Sequence, residues 1–366
     1  GDGTYNNDNP FTPDFNNLTG SPDEANVKDT NDTNNLANSS GTITLKNSGG
    51  TSIDSVDYVK GDASSTNGDG PSYEIVDTAS DNSDTSTNWQ ASGSSGGTPG
   101  YIINTTWSGT TDSDWNTSSN WSNGIPVATS DILIPNSLTN YPTASGAVTV
   151  NSVVINSGAT LIAQATFDGT VTYKRFLTAA FEDDAEGWHL VASPVSGDTY
   201  NNAYANEVNL ATSNTNTSLR GLGFYDTAND TWSYLVNDDS NANTFISGTG
   251  YTMKRASNGE VKFIGNLNTD DTGVDATISS AGNGFNLLGN PYTSFVNSAT
   301  FLGDNSSLDQ QIWVWDQTGG GNYIVQVSAN NFEIAPGQGF FVKANSGTSV
   351  NFAESNQSAQ GTDTFL

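Results

Sequence analysis

One histidine and no cysteine in 366 residues leave this chain a narrow repertoire of nucleophilic and metal chemistry. His189 is the one side chain that could act as an imidazole base near neutral pH. A hydrolytic triad would have to recruit Ser193 and an acid such as Asp183 or Asp184. Yet Trp188-His189-Leu190-Val191 reads as a strand, and no Gly-x-Ser-x-Gly elbow exists. We therefore expect a packed or surface histidine with a structural role. A His/Cys zinc site is excluded by composition. Paired carboxylates alone can hydrolyse a glycoside, but the long loops and apolar pocket signals that frame such a pair are lacking. A glycoside hydrolase is thus the least favoured reading.

Two further kinds of residue could bind. Acidic clusters stand at Asp29 and Asp32, at Asp77, Asp81 and Asp84, at Glu182, Asp183 and Asp184, and at Asp270, Asp271 and Asp275. Calcium takes six to eight oxygens from carboxylates, amides and carbonyls in turn-rich loops, so calcium is the cofactor these clusters would hold. None follows the spacing of an EF-hand loop. Trp107, Trp115, Trp121, Tyr141 and Trp232 are candidate platforms for the C–H faces of a glycan, although aromatics at strand spacing more often fill a core. Trp313 and Trp315 share one strand face by their i, i+2 spacing, and we expect that face to be a sandwich interior.

The elements that must position these residues are strands. Asn, Ser, Thr and Gly carry most of the polarity and favour turns and short strands over helices. Strand signals include Thr42-Ile43-Thr44-Leu45, Ile53-Asp54-Ser55-Val56-Asp57-Tyr58, Ile132-Leu133-Ile134, Val153-Val154-Ile155, Trp232-Ser233-Tyr234-Leu235-Val236 and Tyr323-Ile324-Val325-Gln326-Val327. Two stretches are copies. Gly187-Trp188-His189-Leu190-Val191-Ala192-Ser193-Pro194 aligns with Gly284-Phe285-Asn286-Leu287-Leu288-Gly289-Asn290-Pro291, and Gly250-Tyr251-Thr252-Met253-Lys254 with Gly339-Phe340-Phe341-Val342-Lys343. Between them Phe224-Tyr225-Asp226 pairs with Val314-Trp315-Asp316. Repeats of this size are whole modules in tandem, and because His189 aligns with Asn286, the shared role of that position is not catalysis.

The expected organisation is all-β: tandem β-sandwich modules over 176–270 and 271–366, packed end to end, after a Trp-rich segment at 101–175 that is solenoid-like or a small sandwich. Residues 1–100 form a partial sandwich with an Asn/Asp-rich arm. Ten Lys plus Arg against 39 Asp plus Glu give a formal charge of −29, a field that repels nucleic acid and anionic membrane. No run reaches the roughly 20 apolar residues of a membrane helix.

Residues 36–100 resemble the second half of a lamin-tail domain, an immunoglobulin-like sandwich, through Leu36-Ala37-Asn38, the strands at 42–58, Gly70-Pro71-Ser72-Tyr73-Glu74, Asn88-Trp89 and Gly97-Thr98-Pro99-Gly100. That family's opening strands are not recognisable in residues 1–35. From about 105 onward, the Trp-rich opening, Gly289-Asn290-Pro291-Tyr292 and Pro336-Gly337-Gln338-Gly339-Phe340-Phe341-Val342 resemble surface proteins exported by the type IX secretion system of Bacteroidota. The resemblance implies an extracellular, cell-surface place. Together these features lead us to expect a secreted, non-enzymatic structural or adhesive surface protein, a subunit of an extracellular fibre or multi-subunit appendage, with self-association or other surface proteins as partners. The alternative is a monomeric adhesin that binds glycans.

Overall fold

The computed structural model describes residues 40–46, 52–59, 71–75, 89–95, 105–179, 186–239, 242–269, 271–317, 321–359 and 363–366. Two units divide the chain at Asn104/Thr105. In the first, β1 (Ser40–Lys46) pairs antiparallel with β2 (Ser52–Val59), and β3 (Pro71–Ile75) with β4 (Trp89–Ser95).

The second unit opens with strands stacked in parallel, each laid on the one before it. β5 (Thr105–Thr106), β6 (Asp131–Ile134), β8 (Val148–Ile155) and β10 (Phe167–Leu177) follow one another across one sheet, and β7 (Thr143–Ala144) pairs in parallel with β9 (Ile162–Ala163). Register puts Ile132, Val153 and Val171 in one row and Ile134, Ile155 and Tyr173 in the next. All six are buried in one core, which is what selects branched residues at alternate positions of strands whose length allows little else.

A first module follows: β11 (Trp188–Ala192), β12 (Thr199–Tyr200), α1 (Asn202–Glu207), β13 (Leu219–Asp226), β14 (Thr231–Val236), β15 (Asn243–Thr244), β16 (Gly250–Lys254) and β17 (Gly259–Gly265). The second comprises β18 (Val274–Thr277), β19 (Phe285–Gly289), β20 (Phe295–Asn297), α2 (Ser298–Asp304), β21 (Gln311–Asp316), β22 (Asn322–Val327), β23 (Glu333–Ile334), β24 (Gly339–Lys343), β25 (Ser349–Phe352) and β26 (Gln357–Ser358). The main sheets run β11-β16-β13-β14 and β19-β24-β21-β22, the same order strand for strand. Even the helix caps correspond. Asn201 accepts the Tyr204 N–H, and Asn297 accepts those of Ala299 and Thr300, each satisfying first-turn donors that would otherwise lack a partner.

The boundary expected at 175–176 falls inside β10, which pairs in parallel with β8 and antiparallel with β17. The Trp-rich segment and the first module therefore share a strand, a sheet and one core running from Trp107 to Leu267. The second module has its own core, around Phe301, Phe340 and Phe352.

The modules meet side by side rather than end to end. Val191 bridges to Gln338, and Leu288 to Thr249. Ala192 N donates to Gly337 O at 2.9 Å, and Gly289 N to Gly248 O at 3.0 Å. In the repeat alignment Val191 corresponds to Leu288, Ala192 to Gly289, Thr249 to Gln338 and Gly248 to Gly337, so each contact has its mirror partner. The seam is a pseudo-two-fold, the intrachain version of an isologous interface. It requires close backbone approach: a Cβ on Gly339 would lie 2.9 Å from Val191 N and O, and one on Gly250 would meet the Leu288 carbonyl.

Candidate functional site

Alternation along β21 sends Ile312 and Val314 into the second core and Trp313 and Trp315 outward. The expectation that the Trp313/Trp315 face is a sandwich interior is corrected: the isoleucine and valine between them take that place. Trp313 and Trp315 instead join Leu190, Tyr225, Trp232, Phe285, Leu287 and Phe341 in a third, thinner apolar layer along the seam. Tyr225 meets Phe341 with ring centroids 4.8 Å apart, edge to face.

Past that layer the outward face is exposed among the described residues. β22 lies at the sheet edge and pairs with β21 in the register Trp315 to Tyr323, Trp313 to Val325 and Gln311 to Val327. Tyr323, Val325 and Val327 thus form one stripe, exposed by 45%, 45% and 40%. The first module repeats the arrangement. β14 is its edge strand, with Trp232 opposite Tyr225, Tyr234 opposite Gly223 and Val236 opposite Leu219. Trp232 and Tyr234 are half-buried and Val236 is exposed. Neither edge strand carries a charged residue (Thr-Trp-Ser-Tyr-Leu-Val and Asn-Tyr-Ile-Val-Gln-Val), although the chain as a whole carries −29. Burial pushes the Tyr225 phenol up to about 12, helped by Asp230, whose Oδ1 accepts its proton at 2.6 Å. Burial likewise raises Tyr323 to about 12. Both stay neutral, so the face remains uncharged across the physiological range.

The residues singled out in the sequence fall elsewhere. Trp107, Trp115, Trp121 and Tyr141 are all buried, at 0%, 2%, 5% and 1% exposure. Trp121 packs edge-on to Trp107 and Trp115 at 4.9 and 4.7 Å. The Trp107 and Trp121 indoles donate to the carbonyls of Asn140 and Trp115, both at 2.8 Å. These four are core, not glycan platforms: large rings with a satisfied polar edge are worth most inside. Trp232 alone of the five reaches the surface, on the outward face just described.

Of the acidic clusters, Asp29, Asp32, Asp77, Asp81, Asp84, Glu182, Asp183, Asp184 and Asp270 lie outside the described residues. Asp271 is exposed, and Asp275 accepts from Asn351 Nδ2 at 2.9 Å. Among the described residues no group of three or more His, Asp or Glu could hold a metal ion.

His189 is buried at 3% exposure, and its Nε2 lies 2.9 Å from the Thr178 carbonyl. Burial depresses its pKa. Asn286, its counterpart, donates to the Ser279 carbonyl at 2.9 Å. Thr178 follows β10 and Ser279 follows β18, so each side chain ties its own strand to the residues just past the strand before it. Ser193 spends its hydroxyl on Val195 O at 2.7 Å.

Two features carried no local signal in sequence. A cleft of about 390 Å³ is lined by Asp198, Tyr204, Glu207 and Lys262 among others. Lys262 pairs with Glu207 at 2.5 Å, and burial pushes Asp198 up to about 6. The second is Arg175, fully buried, which bonds Asp363, the Tyr173 hydroxyl and Pro336 O while Phe365 covers its guanidinium at 4.5 Å. Thr364 donates to Glu333 O at 2.6 Å and Leu366 N to Gln338 Oε1 at 3.0 Å. Residues 363–366 thereby strap the first core to the second module.

No protein-family model, curated protein or solved structure matches this chain.

Proposed function

We propose that this chain is a secreted, non-enzymatic structural protein of the cell surface that self-associates through the open edge of its second module. The observation that carries the reading is β22: an uncharged strand at a sheet edge, with an apolar outward stripe and one strand neighbour among the described residues. Soluble proteins protect such edges with lysine, proline or a bulge, because unpaired backbone groups beside apolar side chains template further strands. β22 has none of these protections within its six residues. The extracellular place follows the surface-protein resemblance, and the structural commitments of His189 and Ser193 support a non-enzymatic role.

Sedimentation of the purified chain over a range of concentrations tests this. The chain should form species larger than a monomer, and Val325→Lys should weaken association by at least about tenfold, or about 1.4 kcal/mol. A chain that stays monomeric throughout would sink the reading.

A second reading, a glycan-binding adhesin, is favoured by the half-exposed Tyr225, Trp232, Trp313 and Trp315 beside Tyr323. In that case the chain should stay monomeric and bind on a glycan array, and Trp315→Ala should abolish that binding.

A further inference from the structure

We propose that the partner of β22 is β14 of a second copy, so that the chain polymerises head to tail. The inference rests on the assembly reading and names its missing half. The seam already joins one module to the other about a pseudo-two-fold, leaving β14 and β22 as equivalent edges on opposite partners of that pair, each with one strand neighbour among the described residues. An antiparallel pairing of β22 with the β14 of another copy would join a second module to a first between chains, as the seam joins the two within one chain.

Cross-strand chemistry favours the unlike edges. With Val325 set opposite Tyr234, Tyr323 falls opposite Val236 and Val327 opposite Trp232, so each of the three outward pairs joins an aromatic ring to a valine. Aromatic and β-branched residues are favourable cross-strand neighbours. Pairing β22 with its own copy about Val325 leaves valine against valine at the centre, and pairing β14 with its own copy about Tyr234 leaves tyrosine against tyrosine. Charge permits the unlike contact too, since neither strand brings a carboxylate to it. Each copy then offers one donor and one acceptor edge. A heterologous contact of that kind propagates into an open string unless the rotation closes a ring.

Two variants at exposed positions separate the possibilities: Val325→Lys on β22 and Val236→Lys on β14, with fold checked by near-ultraviolet circular dichroism. Sedimentation velocity of the full chain should give a concentration-dependent series for the natural sequence. Each variant alone should be monomeric, because it lacks one of the two unlike edges. An equimolar mixture should yield a heterodimer and nothing larger, joined by the intact β22 of V236K and the intact β14 of V325K. Variants that each dimerise, a V236K that still polymerises, or a mixture that stays monomeric would overturn head-to-tail pairing while leaving self-association in place. A natural chain that is monomeric at every concentration removes the assembly reading as well.

Discussion

A half-buried acid, Asp198, should set a pH response. Its carboxyl is pushed from 3.8 up to about 6, chiefly by burial in the wall of its cleft. The native state then holds this proton more tightly than the unfolded chain does. Stability from this group is present below about pH 4 and is lost as pH rises through about 6, a change on the order of 2–3 kcal/mol. Asp198→Asn keeps the uncharged form at all pH. Urea unfolding should find the variant and the natural chain close in stability near pH 4, and the variant more stable by about 2 kcal/mol near pH 7.5. Parallel pH profiles for the two proteins would show that Asp198 is not the group responsible. His189 acts in the opposite sense: its depressed pKa withdraws stability as pH falls through and below the ordinary histidine range.

At the scale of elements, the seam between modules depends on what is missing from two strands. Gly250 and Gly339 begin β16 and β24 and let the backbones of the modules touch. Gly339→Val should cost about 2 kcal/mol in thermal or urea unfolding, the usual penalty for overpacking a tight contact. Gly250→Val should cost a similar amount, because the pseudo-two-fold gives it the same role. Gly303, in α2, has nothing within 4 Å of where a Cβ would stand, so Gly303→Ala should be neutral or stabilising by up to about 1 kcal/mol. Comparable losses at 250 and 303 would argue against the seam.

These elements were legible in sequence to different degrees. The repeat told which strands correspond, and β-formers told where strands lie, because both signals are local. Which face of a strand becomes interior was not legible for Trp313 and Trp315: alternation separates the two faces, but only the tertiary partner decides which is covered. The same ambiguity misplaced Trp107, Trp115, Trp121 and Tyr141, whose polar surroundings in sequence hide a shared core. The pseudo-two-fold needs two backbones side by side, and nothing in one-dimensional spacing announces that.

For the whole molecule, charge and edges pull against each other. At −29 two copies repel at long range, while their neutral edges attract only at contact. Salt screens the first and leaves the second. Raising sodium chloride from about 0.05 to about 0.5 M should therefore strengthen association, whereas an interface built on ion pairs would weaken. Light scattering across that range checks the sign.

The strap at 363–366 gives the molecule a timetable. Arg175 and Asp363 are 188 positions apart, and closing a free loop of that length costs about 4–5 kcal/mol in chain entropy. One ion pair, a ring over a guanidinium and two hydrogen bonds must meet that cost. The strap therefore depends on the sheets to draw its two landing places together before it can close. Once closed, it adds a side-chain clasp to a union of modules that the backbone bonds of the seam already make.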